Sequence, residues 1–288
     1  MKRWFAQVVC YLLAVALCAA AGQAQAGQAQ AGQPAAGQDA SAAKPPNPLE
    51  IKPPGPGEDK ASKEAYKALQ HFQSIPDSDA AKKTQAGEDF LNKFASSSYA
   101  HVVYQYLTIA YIQAGQVDKG VTTGEKDLQV SPADYRTMAV LSQTMSRTAN
   151  DQAPDASAKL TKAESYAKNA IAGVDTWVKP DAMSDANFAA LKNDTLSMGH
   201  STLGLVAIHR GNFEGAIPDL QQAVQLGSNT DPTNYYLLGL ANQNSGHYDQ
   251  SSAAFEKCAA VKGTNLTGTC QTLLEQAKKD AAQGKPKP

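Results

Sequence analysis

The sequence predicts an all-α protein: a right-handed helical solenoid of about five antiparallel helix pairs, closed by one further helix at its C-terminal end. Three observations predict it. From about Asp59 onward apolar residues recur at helical spacing, and no stretch alternates with the two-residue period of a strand. The helical stretches are short and separated by residues with turn chemistry. One helix-turn-helix stretch also recurs further along the chain.

In order, the predicted helices span 60–74, 79–95, 100–114, 117–129, 133–148, 157–174, 185–210, 213–227, 233–245, 248–261 and 268–283. The breaks between them carry Pro76 and Asp77, Ser131 and Pro132, Asp155, Pro180, Gly211 and Asn212, Asp231 and Pro232, and Gly246. Each is a residue type that caps a helix or ends one. Pro218 falls near the start of its helix, where a missing N–H costs least, and is read as a slight kink.

Ahead of the helices lie two segments of different character. Residues 1–26 have a charged start (Lys2, Arg3), an apolar run from Trp4 to Leu17 and a small-residue cleavage pattern, the order of a secretory signal peptide. Cleavage after Ala26 fits best, cleavage after Ala21 is the alternative, and an uncleaved membrane anchor is the competing reading. Lipidation at Cys18 ranks last, because Leu17 is bulky where a small residue belongs. Residues 27–58 begin with an Ala-Gly-Gln repeat and turn proline-rich, offering little to bury, so they are expected to form a disordered tether with a polyproline II portion. The helical domain is expected over 59–283, with a flexible tail at 284–288.

Without residues 1–26 the chain holds 24 basic and 27 acidic residues, a net charge of −3, which offers no concentrated basic face for nucleic acid. No run after the N-terminal segment is long and apolar enough to span a bilayer, so the mature chain is expected to have no membrane span. Cys10 and Cys18 belong to the signal segment; the remaining pair, Cys258 and Cys270, is expected to form one disulfide in an oxidising compartment, with two buried thiols as the alternative.

The recurring stretch aligns HSTLGLVAIHRGNFEGAIPDLQQAV with YYLLGLANQNSGHYDQSSAAFEKCA. It pairs Leu203 with Leu238, Gly204 with Gly239, Gly211 with Gly246, Phe213 with Tyr248, Leu220 with Phe255 and Ala223 with Cys258, always at a spacing of 238 − 203 = 35 residues. The glycine beside the leucine lets the partner helix come close, while the leucine, the aromatic after the turn and the later Leu or Phe fill the space between the two helices. A looser copy places Leu107, Tyr111, Gly115 and Val117 at matching positions, with Thr108 for the glycine and Gly120 for alanine. A fourth is implied by Leu141 and by Ala163, Ala167 and Ala170, with extra residues over 150–157. The pattern resembles the tetratricopeptide repeat, as found in exported bacterial proteins. That resemblance implies a stack of helix pairs whose concave inner face binds a peptide or helix of a partner protein.

Counted from Leu203 and Leu238, the residues expected on that inner face are Ser201, Leu205, Ile208 and His209 in one repeat and Tyr236, Leu240, Gln243 and Asn244 in the next, with Gln105, Ile109 and Ile112 upstream. Core packing of Leu205, Ile208 and Leu240 against neighbouring helices is the alternative. The family's best-known peptide mode clamps a carboxylate with Lys, Asn and Arg; Gln105, Ile109, Ser201, Leu205, Tyr236 and Leu240 depart from that set and imply an apolar or amphipathic ligand instead.

Chemistry-bearing patterns are weak. Gly199 to Gly204 superficially resembles a nucleophile elbow, but Leu203 stands where the second glycine belongs and no strand precedes it. His71, His101, His200, His209 and His247 show no metal-ligand spacing, and no phosphate loop follows a strand. Trp177 reads as packing, and Asn193 and Asn265 match a short glycosylation pattern without further support. The sequence thus predicts a non-catalytic protein-interaction scaffold with no metal and no cofactor, periplasmic or secreted in a bacterial envelope, and tethered to the membrane if the leader is retained. The alternatives are a subunit of an outer-membrane assembly or secretion complex and, less favoured, an exported hydrolase.

Overall fold

The computed structural model describes residues 51–227 and 231–283. The expected signal segment 1–26, the tether from 27 to 50 and the tail 284–288 lie outside the described residues. Among the described residues there are eleven α-helices and no strand. They are α1 (Lys60–Ser74), α2 (Ala80–Phe94), α3 (Ala100–Gln113), α4 (Val117–Val130), α5 (Tyr135–Arg147), α6 (Ala156–Gly173), α7 (Asp185–His209), α8 (Phe213–Leu226), α9 (Pro232–Asn244), α10 (Tyr248–Ala260) and α11 (Thr267–Ala282). A 3-10 turn, Val174–Thr176, follows α6. The predicted helices match these to within two residues at either end.

Short polar side chains set the starts. Asp59, Asp79, Asp134, Ser184, Asn212 and Asp231 each accept a hydrogen bond from a backbone N–H of the first turn that follows, satisfying a donor the helix itself leaves free. Pro232 opens α9, where its missing N–H costs nothing. Gly211 (φ 75°) and Gly246 (φ 77°) end α7 and α9 in the left-handed conformation, and Gly115 (φ 76°) ends α3 the same way. α5 has no such glycine and instead leads into the longer connection to α6. The helix α8 continues through Pro218.

The helices pack in consecutive pairs, α1 with α2 through α9 with α10, and α11 covers α10 at the C-terminal end: a tetratricopeptide-like helical solenoid. The close approach inferred from the repeat is present. A Cβ on Gly204 would lie 2.5 Å from Leu220 Cγ, and one on Gly239 would lie 2.5 Å from Phe255 Cε1. Thr108 and Ser142 hold the same position in the earlier pairs and are likewise buried. Ala163, Ala167 and Ala170 give α6 a flat buried face.

The first core joins Ala65, Leu69 and Phe72 of α1 to Phe90 of α2 and Val103, Leu107 and Tyr111 of α3. Glu88 on α2 fastens this end, accepting from Tyr111 Oη at 2.6 Å and Lys119 Nζ at 2.8 Å. Those two donors, Lys119 first, hold its carboxyl below the usual range. At the other end Cys258 and Cys270 form a disulfide, with Cα atoms 5.9 Å apart, tying α11 to α10. The tether expected as far as residue 58 is fastened earlier than that: Tyr99 Oη donates to the Lys52 carbonyl at 2.9 Å.

Candidate protein-binding surface

The first helix of each pair, α3, α5, α7 and α9, carries the residues expected on the inner face. Five of them are buried and are corrected from groove to core: Ser201, Leu205, Ile208, Tyr236 and Leu240. For those on α7, a neighbouring first helix lies close. Ala139 and Ser142 on α5 are small and fully buried, so α7 lies directly against α5, with Ser142 Oγ 3.0 Å from Thr202 Oγ1. Ser201 Oγ donates to Asn234 Oδ1 at 2.6 Å, joining α7 to α9. Tyr236 packs toward Phe255, ring centroids 6.4 Å apart, and burial pushes its phenol up to about 12.

Of the other six, three are committed to contacts within the stack and one, Asn244, is exposed. Ile112 packs over Gly120, whose Cβ would come within 2.6 Å of Ile112 Cγ1. His209 lies 2.7 Å from Asp151 Oδ1 and 3.2 Å from the Ser146 carbonyl, joining the end of α7 to α5 and the connection after it. Gln243 donates to Asp280 of α11 at 2.6 Å and accepts from Ser251 of α10 at 2.9 Å. Asn244 is exposed, its amide turned back to the Leu240 carbonyl at 2.8 Å. Over the same stretch Arg147 at the end of α5 reaches Asp231, the cap of α9, at 2.5 Å. Burial would raise the Asp231 carboxyl, but the Arg147 charge overcomes it and holds it low.

Gln105 and Ile109 are different. α3 and α5 barely touch, and the depression between them is lined by Gln105, Thr108 and Ile109 from α3 and Arg136, Thr137 and Val140 from α5. Ile109 and Val140 are half-buried, and Arg136 is exposed and makes no ion pair with any described residue. Arg136 and Val140 were not among the sequence candidates. A signal for them exists: Leu141 follows Leu107 by 141 − 107 = 34 residues, which puts α5 in the same phase as α3 and its Arg136 and Val140 opposite Gln105 and Ile109.

Beneath the depression lies a buried carboxyl pair. Asp127 at the end of α4 and Asp134 at the cap of α5 are both fully buried. Thr137 Oγ1 is 2.8 Å from Asp127 Oδ2 and 3.1 Å from Asp134 Oδ2, Thr137 N donates to Asp134 Oδ1 at 3.0 Å, and Gln105 Nε2 donates to Asp134 Oδ2. Burial first, then the neighbouring Asp134, drives the Asp127 carboxyl far above the usual range. Asp127 Oδ1 has no partner among the described residues, and a proton on Asp127 would give it a donor toward Asp134.

His200 sits 2.8 Å from Asp219, and His247 lies 3.0 Å from Glu214. Among the described residues no group of three or more His, Cys, Asp or Glu side chains is placed to hold a metal, and no helix is long and apolar enough to cross a membrane.

Residues 232–265, which comprise α9, α10 and the turn after them, match the family model described as Tetratricopeptide repeat. The match supports a tetratricopeptide-repeat protein, and such repeats suggest protein partners. No curated protein matches the chain.

Proposed function

We propose that this chain is a non-catalytic scaffold of the bacterial cell envelope that binds a peptide or helix of a partner protein in the seam between α3 and α5. The observation that carries the reading is the seam itself: neighbouring first helices are in close contact at α5 and α7 but part between α3 and α5. Its walls present half-buried Ile109 and Val140 with an Arg136 guanidinium that pairs with no described residue, which suits an amphipathic segment placing an acidic residue beside its apolar face. The expected secretory leader and the Cys258–Cys270 disulfide support an oxidising, exported setting.

Site-directed photocrosslinking in the producing cell tests this. A photoreactive side chain at Ile109 or Val140 of the full chain should yield a discrete adduct in the envelope fraction, and the same probe at exposed Gln222 on α8 should not. Arg136→Glu should remove the adduct without lowering the melting temperature. Equal labelling at all three positions, or none at Ile109 and Val140, refutes the seam as the binding surface. Intact mass of the recovered chain tests export, with cleavage after Ala26 or Ala21 as the expected result.

A further inference from the structure

Two of the side chains that line the α3–α5 seam are bonded to the buried carboxyl pair beneath it. Gln105 Nε2 donates to Asp134 Oδ2, and Thr137 Oγ1 lies 2.8 Å from Asp127 Oδ2 and 3.1 Å from Asp134 Oδ2. The Thr137 hydroxyl has a single proton, so it can donate to one of those carboxyl oxygens and not to both. Asp127 Oδ1 has no hydrogen-bond partner among the described residues, and neither acid has exposed surface. Two ionised carboxylates would be short of donors there. One bound proton supplies a further donor and halves the buried charge.

The groups around the pair leave that proton in place. From α3, Tyr104 faces Asp127: burial first, then Asp127, raises its phenol. His101, one turn before Gln105, is turned to the Ser98 carbonyl. On α4 the charged neighbours of Asp127 are Glu125, bonded to Lys162 of α6, and exposed Lys126. At α5 they are Asp134 itself and Arg136, exposed at the seam. Burial first, then Asp134, pushes the Asp127 carboxyl up to about 9, so the proton is held through neutral pH and released above it.

We propose that occupation of the seam is linked to this buried proton: an acidic partner segment binds above the singly charged pair and is released when the proton leaves. This rests on the reading of the seam as the binding surface. Loss of the proton puts a second negative charge beneath the place where the partner's acid meets Arg136. It also leaves Gln105 and Thr137 held by two carboxylates, so neither is free to turn to a ligand. Binding is therefore present in full below about 9 and lost as pH rises through it. By reciprocity, an acidic segment in the seam tightens the hold of the pair on its proton.

The test uses the full chain with a photoreactive side chain at Ile109, as wild type and as Asp127→Asn, irradiated in envelope extract at steps from pH ~7 to ~10 at which circular dichroism shows both chains folded. The ratio of the two adduct yields is read, because titration of the partner affects both chains alike. Wild-type adduct should fall roughly threefold to tenfold relative to the variant over that range, the effect of one added charge near a protein surface. A constant ratio, with adduct formed by both chains, overturns the linkage and leaves the seam reading standing. No adduct from either chain at any pH overturns the seam reading, and the linkage with it. If Asp127→Asn does not fold, the wild-type chain decides by NMR. The carboxyl carbons of Asp127 and Asp134 should then titrate with the midpoint at which the adduct is lost, and carbons that stay still over that range overturn the linkage.

Discussion

Asp127→Asn is expected to remove a pH dependence from the stability of this fold. Asp127 is fully buried beside Asp134, and burial and that neighbour push its carboxyl up to about 9, from an ordinary value of 3.8. The folded chain therefore binds a proton that the unfolded chain releases. A group raised in this way contributes stability in full below 3.8, and that contribution is lost progressively as pH rises toward about 9. The slope is at most about 1.4 kcal/mol per pH unit, because one proton is involved. Between pH ~5.5 and ~7.5 the wild type should lose up to about 2.7 kcal/mol from this source.

Asparagine reproduces the protonated acid: its amide donates toward Asp134, and its carbonyl accepts from Thr137 Oγ1, which Asp127 Oδ2 accepts at 2.8 Å in the wild type. The variant keeps the network and loses the proton linkage. For a domain of this size about 1 kcal/mol corresponds to roughly 2–4 °C, so the melting temperature of the variant should gain on the wild type by up to roughly 5–10 °C across that interval. Thermal melts of both proteins at closely spaced pH values measure the difference, in which the contributions of groups distant from the pair cancel. A constant difference from pH ~5.5 to ~7.5, or one that shrinks as pH rises, refutes the shared-proton account.

Three further outcomes follow from the packing. Gly239→Val should cost about 1–3 kcal/mol in urea unfolding, since its Cβ would lie 2.5 Å from the Phe255 ring, whereas Gly268→Ala, with nothing within 4 Å, should be neutral or stabilising by up to about 1 kcal/mol. Leu205→Asp places an unpaired charge at a site 4% exposed and should lower stability by several kcal/mol, while Asn244→Asp on the exposed end of α9 should stay within about 0.5 kcal/mol. Replacing Cys258 and Cys270 by serine should cost up to about 3 kcal/mol, with hydrogen exchange accelerated most in α11, which is tied to α10 by that bond.

The helices were legible because each boundary carries its own local chemistry. Asp59, Asn212 and Asp231 cap the helices they precede, and Gly211 and Gly246 end the ones they follow, whatever the rest of the chain does. The close approach at Gly204 and Gly239 was legible for a similar reason, since the partner leucine and phenylalanine recur at the same offset. Exposure on the inner face was not. Leu205 and Leu240 occupy the same phase as Ile109, yet they are buried and Ile109 lines an open seam. For Leu205 a neighbouring first helix, α5, lies close, through contacts such as Ser142 with Thr202, sixty residues apart (202 − 142 = 60). Helical phase predicts direction, and only the neighbour decides burial. The Asp127–Asp134 pair left no sequence signal at all, because two acids flanking Ser131 and Pro132 read as an ordinary solvated turn.

That pair lies where α3 and α5 part. Between α5 and α7 the facing residues are small or apolar, Ala139, Ser142 and Leu205 among them, and the hydroxyls present bond to each other or to their own helix, so the two helices close completely. Between α3 and α5 the floor is Asp127, Asp134, Thr137 and Gln105, a cluster in which the Gln105 amide reaches from α3 to Asp134 at the cap of α5 and Thr137 joins α5 to Asp127 of α4. Displacing α5 from α3 and α4 would break these two bonds and leave buried carboxyl oxygens short of a partner, at a cost per group of about 1–3 kcal/mol or more. Above this polar floor the apolar residues Ile109 and Val140 stay half-covered. The Asp127 carboxyl that is expected to lower stability with rising pH lies beneath the proposed binding seam.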